Sequence, residues 1–181
     1  LKPPETFVTD SDEINAAERG TVTHFVMQHL DIGKTETEQQ IKEQTEDMIK
    51  SGMLTLKQGA AVDTAAVFGF FESDIGKRLK KAEWFEREYD FYMLIPPEEA
   101  EPRLDTTGAE DVILQGIADC FFYTDDGIVL IDYKTDRVSK SGAALRSEAY
   151  RVQMEYYARG LSAIFNLPVK ERYLYFLSCG E

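Results

Sequence analysis

Asp119, Asp132 and Lys134 are the residues of this chain whose types and spacing could do chemistry, and they fall on two segments that read as the arms of one β-hairpin. Residues 112–123 and 128–134 are strand-like, and Thr124, Asp125, Asp126 and Gly127 between them are a strong short-range turn signal. Ile128 and Leu130 lie on one side of the second arm and Val129 and Ile131 on the other, so that strand reads as central and covered. Charges at its end, Asp132 and Lys134, are costly on a buried strand unless paired or bound to a cation. By alternation, a turn of two loop residues sets Asp119 opposite Lys134, and a turn of four sets it opposite Asp132. Both put the three side chains on one face; a three-residue loop separates them. Gly116, three residues before Asp119, leaves room for a ligand or a backbone to approach. Two carboxylates and an ammonium on one face suit metal-assisted attack on a phosphodiester. Carboxylate oxygens take Mg²⁺ or Mn²⁺, which clamps the phosphate and acidifies its bound water, and the lysine orients that water and offsets transition-state charge. Asp-x-Lys is also an ordinary surface strand end, and the pattern alone leaves both readings open.

The elements that must hold these groups follow from periodicity. Residues 15–30 predict a helix, with Val22, Phe25, Val26 and His29 at helical spacing, and 35–51 a more polar one stopped by Gly52. Asp63 caps a third helix carrying Ala66, Val67 and Phe70, and 73–82 continues with a basic end. Residues 84–95 alternate as a strand, closed by Pro96 and Pro97 before an acidic loop at 98–111. Residues 139–165 predict one long helix, broken by Asn166 and Pro168, and 169–178 a last strand. His24 sits inside an apolar helix, where a core histidine with one hydrogen bond is the plain reading. Gln153 and Tyr157 share a stripe with Tyr150, Leu161 and Ile164, so the face that packs on the sheet carries an amide. That amide either ties down a strand end or contacts a nucleic-acid backbone near the metal.

Composition bounds the rest. The 181 residues carry 20 Lys plus Arg against 33 Asp plus Glu, a net charge of −13, and 43% are hydrophobic. One globular domain can bury a core at this length. The charge is a poor footprint for holding nucleic acid by electrostatics alone. It is uneven, however: residues 98–126 are strongly acidic, while 136–159 carry Arg137, Lys140, Arg146, Arg151 and Arg159. Cys120 and Cys179 are too few for a disulfide scaffold, a zinc knuckle or a four-cysteine iron–sulfur cluster, and read as buried thiols in a reducing compartment. No apolar run reaches membrane-span length, and Leu1 to Asp12 lacks the pattern of a signal peptide, so the expectation is cytoplasmic.

Together, Gly20-Thr21-x-x-His24, Gly116-Ile117-Ala118-Asp119, Ile131-Asp132-Tyr133-Lys134-Thr135 and Gln153-x-x-x-Tyr157 resemble the RecB-type nuclease domains of the PD-(D/E)xK superfamily. Within it they are most similar to the C-terminal nuclease domains of the AddA family, the helicase-nuclease subunits of bacterial AddAB. The resemblance implies a restriction-endonuclease-like α/β fold, a central mixed β-sheet flanked by helices. The chain would be a single nuclease domain, 1–181, with a helical part at about 1–82 and a sheet core at about 83–181, cut from a larger helicase-nuclease. It implies His24, Asp119, Asp132 and the Tyr133 carbonyl as metal ligands for Mg²⁺ or Mn²⁺, and Lys134, with Asp132 and Asp119, as catalytic. Gln153 and Tyr157 would support the site or the DNA strand, and Glu88 is a further candidate acid, a solvated strand glutamate being its other reading. The implied activity is hydrolysis of single-stranded DNA, as an exonuclease, in bacterial double-strand-break repair and recombination. Implied partners are DNA, helicase domains of the same full-length chain and a partner of the AddB type, with no membrane. ATP would enter only through those helicase domains: Gly33-Lys34-Thr35 imitates the end of a P-loop, but position 28 is Gln. Two rivals remain. One is a catalytically silent nuclease-like domain that binds DNA or another protein of the assembly. The other is a different metal-dependent α+β enzyme, marked by Asp119 and Asp132 on opposite faces.

Overall fold

The computed structural model describes residues 14–100, 103, 105 and 107–180. The stretch read for a leader, and Glu101, Pro102, Leu104 and Thr106 of the acidic loop, lie outside the described residues.

Five helices come first: α1 (Ala16–His29), α2 (Glu38–Lys50), α3 (Leu56–Ala60), α4 (Thr64–Glu72) and α5 (Asp74–Lys81). Each start is set by a side chain that accepts an otherwise unpaired N–H: Asn15, Thr37, Thr55, Asp63 and Ser73. Asp63 caps as expected, yet its helix is the fourth, because Thr55 and Gln58 form a reciprocal capping box that starts the short α3. The segment expected to continue that helix is a separate one, α5. Ser73 ends α4 and caps α5, and Gly76 sits where any Cβ would collide with the Phe70 carbonyl. In α1 the buried stripe is Val22, Thr23, Val26 and Met27, while Phe25 and His29 stack on each other at its margin, rings 4.1 Å apart. Gly33 and Lys34 belong to a 3₁₀ turn, Ile32–Lys34.

The sheet order is β1 (Phe85–Ile95), β2 (Val112–Thr124), β3 (Gly127–Lys134), β4 (Val169–Phe176), antiparallel except for the parallel β3–β4 pair. A short α6 (Pro97–Ala100) follows β1, and α7 (Lys140–Glu148) and α8 (Arg151–Phe165) cross over from β3 to β4. This is the expected mixed sheet flanked by helices. One apolar layer joins α1, α2, α4 and α5 to Cys120, Phe122, Val129, Ile131 and Tyr133. The other joins Met154 and Leu161 of α8 to Phe91, Phe121, Ile128 and Leu130. β3 is buried from Gly127 to Tyr133, paired on both edges and covered on both faces, so its apolar run is accounted for.

Three expectations need correction. The long helix at 139–165 is two helices, although neither proline nor glycine marks the break. Ala149 and Tyr150 donate to Arg146 and Ser147, bonds that span only three residues, and Tyr150 turns toward Asp136. The hairpin turn has two loop residues, Asp125 and Asp126, yet the register Cys120↔Ile131 brings Asp119 level with Asp132 rather than Lys134. The turn is centred one residue earlier than that count assumed, because Gly127, at φ 140, lies inside β3 against the Pro168 carbonyl, where a side chain would collide. Finally, Cys120 is buried, with burial pushing its thiol up to about 12, but Cys179 is partly exposed in the turn after β4.

Candidate metal centre

β2 pairs with β3 only from Cys120 to Thr124, and toward Val112 it pairs with β1 alone. The hairpin therefore opens at Asp119. Instead of a backbone partner, the Tyr133 N–H finds the Asp119 carboxylate, donating to Oδ2 at 2.7 Å. Both flanking strands change faces here. Phe85 packs toward the layer of α1, α2, α4 and α5, whereas Tyr89, Phe91 and Met93 pack toward α8; Ala118 faces α8, whereas Cys120 faces the other layer. The reversal in β1 occurs at Glu88, whose φ of 50 is a left-handed value rarely taken by a non-glycine residue. Glu88 is the residue across from Asp119 in the β1–β2 register. Arg87 next to it donates to the Met27 and Leu30 carbonyls, anchoring the bend to the end of α1.

His24 comes in from α1. Its Nδ1 lies 3.4 Å from Asp119 Oδ1 and 3.5 Å from Glu88 Oε1, and the ligand atoms of the three residues fall within 4.8 Å of one another. Burial by itself would lower the imidazole pKa, but the carboxylates of Asp119 and Glu88 outweigh it and push His24 up to about 10. An imidazolium thus lies between two acids.

Asp132, 1% exposed, stands on the α8 side of the opening. Burial and the charge of Asp119 push its carboxyl up to about 6, against the pull of Lys134 and His24. Gln153 of α8 bridges the pair, donating to Asp132 Oδ1 at 3.1 Å and accepting from Lys134 Nζ at 3.3 Å. Lys134 Nζ lies 2.6 Å from Asp132 Oδ2, a close ion pair for that buried oxygen. The ammonium also sits 4.2 Å from the centre of the Tyr150 ring.

His24, Glu88, Asp119, Asp132, Lys134, Gln153 and Tyr157 all line one cleft of about 540 Å³, with Gln115, Gly116 and Ile117. Gly116 leaves space there: a Cβ would collide with Phe91 and crowd Tyr157. Of Tyr133 the structure places the backbone N–H on Asp119, while its ring packs at 84° to Phe70 in the helical layer. Sequence reasoning missed the role of Tyr150, whose ring covers Lys134, and the residues that hold Tyr150. Tyr150 donates to Asp136 Oδ2 at 2.7 Å, and Arg146 holds the other oxygen at 2.9 Å. The signal that could have found them was Arg146 and Tyr150 at helical spacing, with Asp136 two residues past Lys134. The donor set, carboxylates with one imidazole, fits a hard divalent cation.

Residues 1–179 match the PD-(D/E)XK nuclease superfamily. The chain belongs to that superfamily. In this PD-(D/E)XK domain Asp132-Tyr133-Lys134 has the order of residue types in the second half of that name, and Ala118, packed in the α8-side core, precedes Asp119. The domain is 40% identical over 171 residues to the AddA protein of the ATP-dependent helicase/nuclease of Acetivibrio thermocellus, covering 93% of this chain and 13% of that protein. It is 40% identical over 183 residues to the AddA protein of Ruminiclostridium cellulolyticum, covering 100% and 14%. With that of Bacillus cereus the identity is 40% over 167 residues, covering 88% and 14%. The chain thus spans 13–14% of the length of these relatives.

Proposed function

We propose that this domain is a divalent-metal-dependent deoxyribonuclease that hydrolyses single-stranded DNA as an exonuclease, the nuclease part of a longer helicase-nuclease acting in double-strand-break repair and recombination in the bacterial cytoplasm. The carrying observation is the convergence of seven chemically suited side chains, from α1, β1, β2, β3 and α8, on one cleft in a member of a nuclease superfamily. The name of the relatives, ATP-dependent helicase/nuclease, supports helicase domains and ATP use elsewhere in the full-length chain. A protein of the AddB type is the expected partner.

In this reading His24, Asp119, Asp132 and the Tyr133 carbonyl hold Mg²⁺ or Mn²⁺, with Glu88 as a further oxygen donor. Bound there, the cation supplies charge to the scissile phosphate and a water made acidic enough to attack it. His24 must give up its proton to coordinate, so metal binding releases a proton. Asp119 keeps its orientation through the Tyr133 N–H, and Asp132 through Gln153. Lys134, fixed by Asp132, Gln153 and the Tyr150 ring, orients the water and offsets charge on the phosphate as the new oxygen–phosphorus bond forms and the ester bond breaks. Tyr157 lines the cleft beside Gly116, where the strand crosses.

The test is cleavage of end-labelled single-stranded DNA by the purified chain with Mg²⁺, Mn²⁺, Ca²⁺ or EDTA, beside Asp132→Ala and Lys134→Ala. Metal-dependent cutting by the wild type, lost in both folded variants, is the expected result. Metal binding without cutting, under every condition, would leave a silent nuclease-like binding domain.

A further inference from the structure

Most arginines of this acidic chain are occupied. Arg78, Arg146, Arg151 and Arg159 each hold a carboxylate, and Arg87 holds backbone carbonyls. Arg19 and Arg137 have neither an acid nor a hydrogen-bonded side-chain partner among the described residues, and both line one groove of about 600 Å³ with Ala16, Ala17, Thr135 and Asp136. An unpaired guanidinium keeps its whole fork of donors for a ligand, and the matching ligands are phosphate and carboxylate.

The groove and the metal cleft share no lining residue, but the same two segments of the chain run past both. α1 carries Arg19 on the groove and, little more than a turn later, His24 in the cleft; β3 ends with Lys134 in the cleft and the chain runs on through Thr135 to Arg137. Gly20 lets the two elements meet, since a Cβ there would lie 3.0 Å from Thr135 Oγ1. The segment bearing Arg137 is held in place. Ser178 Oγ donates to the Asp136 carbonyl at 2.6 Å and accepts from the Val138 N–H at 3.2 Å. Extended backbone advances about 3.3 Å per residue, so Arg137 lies within roughly 10 Å of Lys134 along the chain. The groove's own acid, Asp136, is turned to Arg146 and the Tyr150 hydroxyl, which offset its charge.

We propose that Arg19, Thr135 and Arg137 bind the backbone phosphates of the DNA strand one or two nucleotides beyond the scissile bond. The proposal rests on the nuclease reading above and adds to it the path by which the strand leaves the cleft. The net charge of −13 repels DNA in general, and here two arginines ion-pair with no acid among the described residues, while the nearby Asp136 is held by Arg146 and Tyr150 and Asp63 caps α4, which favours a strand in this groove.

The test is fluorescence anisotropy of a labelled single-stranded oligonucleotide bound to the chain in Ca²⁺, over a series of salt concentrations, with Mn²⁺ cleavage measured in parallel. The variants are Arg19→Ala with Arg137→Ala, Arg137→Ala alone, and Arg172→Ala on β4 as a charge-matched control remote from the groove. Two lost phosphate contacts should weaken binding at least tenfold and reduce the slope of log Kd against log salt by about 1.4. The control should stay within twofold of wild type, and in cleavage KM should rise with kcat retained. Should the double variant melt early, exposed Arg137 alone carries the decision, at half that change in slope. A double variant that is folded and binds with unchanged affinity and slope overturns the proposal, as does a wild type that binds no strand. A wild type that binds through these arginines but cuts nothing would sink the nuclease reading and leave the groove standing.

Discussion

At its turn end the β2–β3 hairpin keeps register from Cys120↔Ile131 to Thr124↔Gly127, with Phe121, Phe122, Ile128 and Val129 excluded from solvent. At its other end pairing stops, and two carboxylates, an ammonium and an imidazole fill the opening. The same two strands thus provide a cohesive end and a reactive end. The difference shows where backbone pairing is given up: only where a side chain, Asp119, takes over the N–H that the lost partner would have satisfied.

Substitutions can separate the two ends. The largest effect is expected at the reactive end, where Lys134→Ala or Asp132→Ala should lower cleavage by about a hundredfold or more while leaving the thermal midpoint near wild type. Removing Asp132 also removes a buried charge. Loss of cooperative melting in both variants would mean that these residues are structural. At the cohesive end Leu130→Ala should cost about 2–5 kcal/mol in urea unfolding, with cleavage per folded molecule little changed. Next in size, Gly160→Ala on α8 drives a methyl into the Phe91 ring and should cost about 1–3 kcal/mol. An unchanged midpoint would show that Phe91 moves aside freely.

A separate expected effect is on pH dependence. His24 is raised from 6.5 to about 10 in the fold, so its contribution to metal-free stability is fully present below pH 6.5 and is lost as pH rises toward 10. Asp132, raised from 3.8 to about 6, binds its proton more tightly folded than unfolded, so stability also falls as pH rises through that lower window. Urea midpoints in EDTA should therefore decline from pH 6.5 to 10, and His24→Gln should flatten the decline. Saturating Mn²⁺ should oppose it by taking the proton's place. A slope that His24→Gln leaves intact would assign it to other groups.

The sequence carried the hairpin, the central β3 and helix α1, though only Val22 and Val26 of its expected stripe are buried, because each depends on local chemistry: a turn signal, apolar alternation and helical periodicity. It also carried the candidates His24, Asp119, Asp132, Lys134, Gln153 and Tyr157, whose placement in one cleft is a matter of tertiary packing. The break at Tyr150 was not legible, because no local breaker causes it; the ring is drawn to Lys134 and its hydroxyl to Asp136, across the crossover. Nor was the change of face at Glu88 and Asp119. Alternation counts assume a flat ladder, and here two adjacent strands reverse together.

Glu88 reaches His24 only by holding a backbone conformation that costs a non-glycine residue of order 1 kcal/mol. Glycine at that position would release the cost, and asparagine much of it, while both would discard the carboxylate. A library of this chain selected for heat resistance alone should therefore enrich replacements at position 88, and the survivors should be sturdier proteins with no carboxylate beside His24 at that position.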